Sequence, residues 1–167
     1  HRYRGALPGS RVQLYAEICE VLLGRWRQAI DLSDKLTSSQ KLRIIKPLAV
    51  HMMESRSREI TIEEANAVIA PLLDRVDLDD NEKGKFLQEL QASSGLLLER
   101  EQGIWCFAHQ TFQEYLTAAS WIENPNELRD WDNLVNETWW HETIRLYAAQ
   151  ADASAVVEAC LRLGSVT

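Results

Sequence analysis

Few residues in this chain could do chemistry: four histidines, three cysteines, and twenty-five Asp and Glu spread along 167 positions. His109 is the best placed of them. It follows a β-prone run, Ile104 to Ala108, and precedes a stretch where Phe112, Tyr115, Leu116, Ala119 and Ile122 recur every three or four residues, the period of a helix that buries one stripe. A side chain at a strand-to-helix junction can face a cleft, with the free N–H groups of the helix start beside it. An imidazole there can donate a hydrogen bond to an anionic oxygen. From position alone, a capping histidine packed under the wing is the better reading. His1 stands at the start of the chain, His51 beside the buried face of a predicted helix, and His141 after Trp139 and Trp140. His1 reads as a frayed end, His51 as structural and His141 as a residue at a packing edge. No Ser/His/Asp or Cys/His set converges on the predicted elements, so no catalytic residue is assigned.

Other site chemistry is missing from the pattern. A phosphate loop needs Gly-x-x-x-x-Gly-Lys-Ser/Thr. The one Gly-Lys pair, Gly84-Lys85, is followed by Phe86 and has no glycine five residues earlier. ATP hydrolysis by this chain alone is therefore not expected, and no metal ligand set is legible. Cys19, Cys106 and Cys160 are far apart and in apolar contexts, as expected of buried thiols in a reducing, cytoplasmic setting. No apolar run approaches the length of a membrane span. The chain opens on His1 rather than Met, which reads as a piece of a longer protein.

The net charge of −7 is unevenly spread. Residues 1–60 hold eleven Lys and Arg against six Asp and Glu, and residues 61–167 hold seven against nineteen. The basic front and acidic back could attract each other, separate partners, or simply be solvated.

The elements that must position His109 follow from periodicity. A helix from about Arg11 to Ile30, capped by Ser10, buries Val12, Tyr15, Ile18, Cys19, Leu22 and Trp26. A polar connection, Asp31 to Thr37, follows. A helix from about Ser38 to Ser55 carries Leu42, Ile45, Leu48, Ala49 and Met52, with a kink expected at Pro47. Arg58 to Ile60 suits a short edge strand. Thr61 and Glu64 have capping-box spacing before a helix with Ala65, Ile69, Leu72, Leu73 and Val76. The acidic turn Asp77 to Asp80 starts another, about Asn81 to Ser93, stopped by Gly95. Leu96 to Leu98 and Ile104 to Ala108 flank a polar turn with Gly103, which predicts a β-hairpin. Thr111 and Glu114 repeat the capping-box spacing and are expected to fix the start of the helix after His109. Beyond Ile122, short helices are expected from Pro125 to about Val135, from Trp139 through Ala148, and from Asp152 or Ser154 to Leu163.

The order helix, short strand, helix, helix, hairpin, helix is that of a winged helix. The expected fold is mainly α: a winged-helix domain with one small β-hairpin, flanked by helical segments. Winged helices often bind DNA, but the third-helix region DDNEKGKFLQELQ and the wing turn with Glu99 and Glu101 are acidic and would repel phosphates. Nucleic-acid binding is the weaker alternative, and a helical protein-interaction module is a third.

The segment Phe107-Ala108-His109-Gln110-Thr111-Phe112-Gln113-Glu114-Tyr115-Leu116-Thr117-Ala118-Ala119 resembles the F-x-H-x-(S/T)-F-Q-E-(Y/F)-x-A-A pattern of NACHT ATPases, signalling NTPases of the STAND class related to NOD-like receptors. Leu7-Pro8 with Arg11, Leu14 and Tyr15 is similar to that family's L-P-x-x-R-x-x-L-Y. The resemblance implies the end of a first helical domain at residues 1–36, a winged-helix domain at 37–122 and the start of a second helical or repeat domain at 123–167. It implies that His109 contacts the β-phosphate of ADP and so latches the module onto the nucleotide-binding domain of the same chain in a closed state. Nucleotide exchange would release it for self-association of the parent protein. ADP or ATP with Mg would be bound by the parent, with no cofactor held by this part alone. Bacterial members act in signal transduction and defence.

Overall fold

The computed structural model describes residues 10–24 and 35–164. Within them lie eight α-helices and a small three-stranded antiparallel sheet. Helix α1 spans Arg11–Gly24. The rest of the expected first helix, with Trp26, lies outside the described residues, as do His1, Leu7, Pro8 and most of the connection after it.

Three of the next elements start on reciprocal caps, in which a side chain at the N-cap accepts from the backbone three residues on and is repaid in kind. Thr37 and Gln40 start α2 (Ser38–Glu54), which continues through Pro47. Thr61 and Glu64 start α3 (Ile62–Leu73), as the spacing predicts. Asp79 and Glu82 start α4 (Asp80–Ser94), which ends on Gly95 at φ 62°, a left-handed C-cap that glycine adopts without a Cβ clash.

The wing consists of β2 (Leu97–Glu101) and β3 (Ile104–Phe107). Gly103 turns between them at φ 78°. A third strand, β1 (Ile60–Thr61), pairs with β3 through Ile60 opposite Trp105, so the sheet order is β1-β3-β2. The edge strand expected at Arg58 to Ile60 thus exists only from Ile60, extends to Thr61, and joins the wing to the helical core.

Helix α5 (Gln110–Glu123) follows the wing. The helix expected from Pro125 begins only at Trp131: α6 is Trp131–Asn136. Two side chains hold residues 124–130 out of helix. Asp130 caps α6 by accepting from Asn133 N at 3.2 Å, and Arg129 donates to the carbonyls of Asn124 and Glu127, each at 3.1 Å. Thr138–Trp140 form a 3-10 turn rather than opening the next α-helix, and α7 runs His141–Ala148. Helix α8 is Ser154–Leu163. Its N-cap is Ala153, with no side-chain cap bond, so neither Asp152 nor Ser154 caps it as expected; instead Ser154 N and Oγ both donate to Asp152, at 2.9 and 2.6 Å, in the turn just before the helix.

The buried residues form two cores. The first gathers Ile44, Ile45, Leu48 and Met52 of α2, Ile69 of α3, Phe86 and Leu90 of α4, Trp105 and Phe107 of the wing, Leu116 of α5 and Cys19 of α1. The second contains Met53 of α2, Trp121 of α5, Val135, Trp140 and Ile144, with Val156 and Ala159 of α8. Trp121 is its centre. It stacks on Trp140 at 5.6 Å and meets Trp131 and Tyr147 edge-on at 5.7 and 6.1 Å. Replacing a buried aromatic by alanine costs ~3–5 kcal/mol. Trp121→Ala is therefore expected to lower the unfolding free energy from denaturant titration by that amount while the wing keeps its backbone pairing, read by hydrogen exchange at Trp105 and Cys106. Equal loss of protection in the wing would mean that the two cores melt as one.

Candidate functional site

The wing and α5 together aim His109. Ala108 N donates to Leu96 O at 2.9 Å, carrying the hairpin ladder one residue past β3. His109 then takes extended backbone angles, φ −137° and ψ 138°, and becomes the N-cap of α5. Its carbonyl accepts from Phe112 N at 3.0 Å, but its side chain makes no cap bond. The residue is exposed, and its imidazole has no hydrogen-bond partner among the described residues. The capping histidine considered above is thus absent as a side-chain cap. Phe107 behind it is buried, and Phe112 is half-buried with its ring edge-on to Tyr15 at 6.5 Å. The apolar neighbours hold the backbone of the junction and leave the imidazole free to reach outward, beside the first N–H groups of α5.

The capping box expected of Thr111 and Glu114 does not form. Because the N-cap is His109, Thr111 is already the second helical residue and Glu114 the fifth. Packing against α7 turns Glu114 inward to 8% exposure. Burial pushes its carboxyl above the ordinary range, the charge of Glu142 adds to this, and Arg58 and Arg11 oppose it. Gln113 is buried and donates through Nε2 to Ser57 O at 2.9 Å, pinning the start of α5 to the turn after α2. The spacing signature sees sequence distance only; it cannot tell a cap from a residue claimed by a neighbouring helix.

The remaining candidates are structural in this arrangement. His51 is half-buried on α2. His141 donates through Nε2 to Val135 O at 3.1 Å. Burial pushes the Cys19 thiol up to about 12 and raises that of Cys106, which leaves both as unreactive thiols. Among the described residues no group of three or more His, Cys, Asp or Glu could hold a metal ion, and no helix is long and apolar enough to cross a membrane. Arg11 and Tyr15 were read as motif and stripe. Arg11 reaches across to Glu142 at 3.1 Å, and Tyr15 packs against Phe112 and Tyr115.

A family profile described as a winged helix-turn-helix domain C-terminal to NACHT matches residues 11–121. The chain belongs to that family. The matched residues run from α1 to the end of α5 and so include both the wing and His109. They stop at Trp121, so α6 to α8 fall outside the match. Among curated proteins, the chain is 24% identical over 141 residues to the human SWI/SNF-related matrix-associated actin-dependent regulator of chromatin subfamily A member 1. That alignment covers 82% of this chain but only 13% of the human protein. No solved structure matches the chain.

Glu114 offers a test of this packing. Its carboxyl is raised in the folded chain, so the fold binds that proton more tightly than the unfolded chain does. The charged form therefore costs stability, and the cost appears as pH rises from the unfolded value through the raised folded one. Glu114→Gln is expected to raise the denaturant midpoint at pH 7, with the gain shrinking away as the pH is taken below the ordinary glutamate range. A gain that persists undiminished in acid would show that the charge is not its source.

Proposed function

We propose that this chain is the regulatory winged-helix and helical module of a NACHT-type signal-transduction NTPase, and that His109 is its contact to bound nucleotide. Family membership supports the NTPase as a neighbour in the same chain, since the matched domain is defined by its place after NACHT. The observation that carries the proposal is the exposure of His109 at the head of α5, with no intramolecular partner among the described residues. An imidazole N–H held there suits a phosphate oxygen of ADP. These residues alone do not make a nucleotide site: the chain has no phosphate loop, so nucleotide and Mg would be held by the neighbouring domain. This chain would supply one donor and no catalytic group. Helix α1 would be the end of the preceding helical domain, and α6 to α8 the start of a following one. Opening of the ADP contact would free the module and let the parent protein self-associate.

The likeness to a chromatin regulator, taken with a winged-helix fold, favours a second reading as a nucleic-acid-binding module. The surface speaks against it. Glu99 and Glu101 are exposed on the wing with Arg100 between them, and Asp80 is exposed at the head of α4. A phosphate-binding face needs the opposite sign.

The test uses the full-length parent. Loss of one charge-assisted hydrogen bond is worth ~1–3 kcal/mol, which shifts a closed-to-open equilibrium by roughly 5–150-fold. His109→Ala is expected to speed ADP release and raise the oligomeric fraction within that range, with an unchanged melting temperature for this domain because the side chain carries no core contact. Unchanged ADP release with a lowered melting temperature would make His109 structural. A sequence-selective, salt-dependent shift of duplex DNA would favour the second reading.

A further inference from the structure

Away from His109, a cleft of about 330 Å³ opens beside the second core. Its walls are the last turns of α2 and α5, the loop 124–130 and α6. Val50, Leu134 and the stacked pair Trp121 and Trp140 give it an apolar and aromatic base. Its charges are unequal. Arg56 is used up by Glu137, to which it donates twice, at 2.8 and 2.6 Å. Arg129 lies over the Trp121 ring at 5.3 Å and donates to Glu127 at 3.3 Å. Two lining acids are left over. The Asp130 carboxylate accepts only from Asn133 in its own cap among the described residues, and Glu54 is exposed with no partner among them. Leu128, also on the lining, has its side chain wholly in water at 103% exposure.

We infer that this cleft is a docking site for a protein segment that places a lysine or arginine next to an apolar side chain. Glu54 and Asp130, both exposed, supply the complementary charge, and the buried pair Trp121 and Trp140 forms the floor beneath them. The apolar neighbour would cover Leu128, which otherwise contributes nothing to the fold. A peptide is the fitting occupant because a cation and an apolar group must arrive side by side. The cleft shares no residue with the α5 N-terminus, so the inference stands or falls apart from the nucleotide contact.

The test titrates the 15N-labelled chain with acetyl-Ala-Leu-Arg-Ala-amide, and with the same peptide carrying glutamate in place of arginine, following the indole N–H resonances of Trp121 and Trp140. The arginine peptide is expected to move both resonances saturably and the glutamate peptide to leave them in place. Glu54→Lys is expected to weaken binding about ten-fold, as one attractive exposed charge contact becomes repulsive, and Leu128→Ser to weaken it severalfold. Both side chains are exposed, and an unchanged indole spectrum without peptide checks that the fold survives. The inference is overturned if neither resonance moves up to about 10 mM arginine peptide, if the glutamate peptide binds as well, or if Glu54→Lys binds like the parent chain.

Discussion

Both cores depend on one packing arrangement, helix α5 laid antiparallel on α2. Two side-chain bonds at opposite ends show the direction. Gln113, near the start of α5, donates to Ser57 O just past the end of α2, and Lys46, in the middle of α2, pairs with Glu123 at the end of α5. Successive helical residues point about 100° apart, so Met52 enters the first core and Met53 the second. Along α5, Leu116 belongs to the first core and Trp121 to the second. The second unit is therefore built on the far side of the same two helices that carry the wing. Trp139 adds to this through its indole, which donates to Met53 O at 2.9 Å.

Much of this was legible in the sequence. The change of period at His109, the hairpin around Gly103 and the box at Thr61 and Glu64 were all readable because each is a local pattern with one local cause. The reading failed where a distant partner decided. Glu114 matched a cap by spacing but was taken inward by α7. Pro125 looked like a helix start, yet Arg129 and Asp130 hold the chain open until Trp131. The stripe predicted for α2 contained Met52 and omitted Met53, because a single-face pattern does not anticipate a helix that serves two cores. Exposure of His109 was consistent with its position but needed the structure to show that its side chain caps nothing.

The uneven charge also has a structural expression. Lys35 pairs with Glu82, Lys46 with Glu123, Arg56 with Glu137 and Arg11 with Glu142. Each joins a cation from the first 60 residues to an acid further on, so the basic front and acidic back meet within the molecule. Each pair has one well-exposed partner, so solvent screening leaves it little weight in stability. Arg56–Glu137 is the best formed, being bidentate, and its backbone sits at φ 51°, a left-handed conformation uncommon for a residue with a Cβ.

The antiparallel α2–α5 pair also sets an order of events at the ribosome. Helix α5 emerges about sixty residues after α2, a delay on the order of several seconds at ordinary rates of chain elongation. During that interval the face of α2 that carries Met53, and that Trp121 will join, has no mate. Its other face does, because α3 and α4 follow at once and contribute Ile69, Phe86 and Leu90 to the first core. The nascent chain thus covers one side of α2 early by local partners, while the side that founds the second unit waits in water for the last third of the chain.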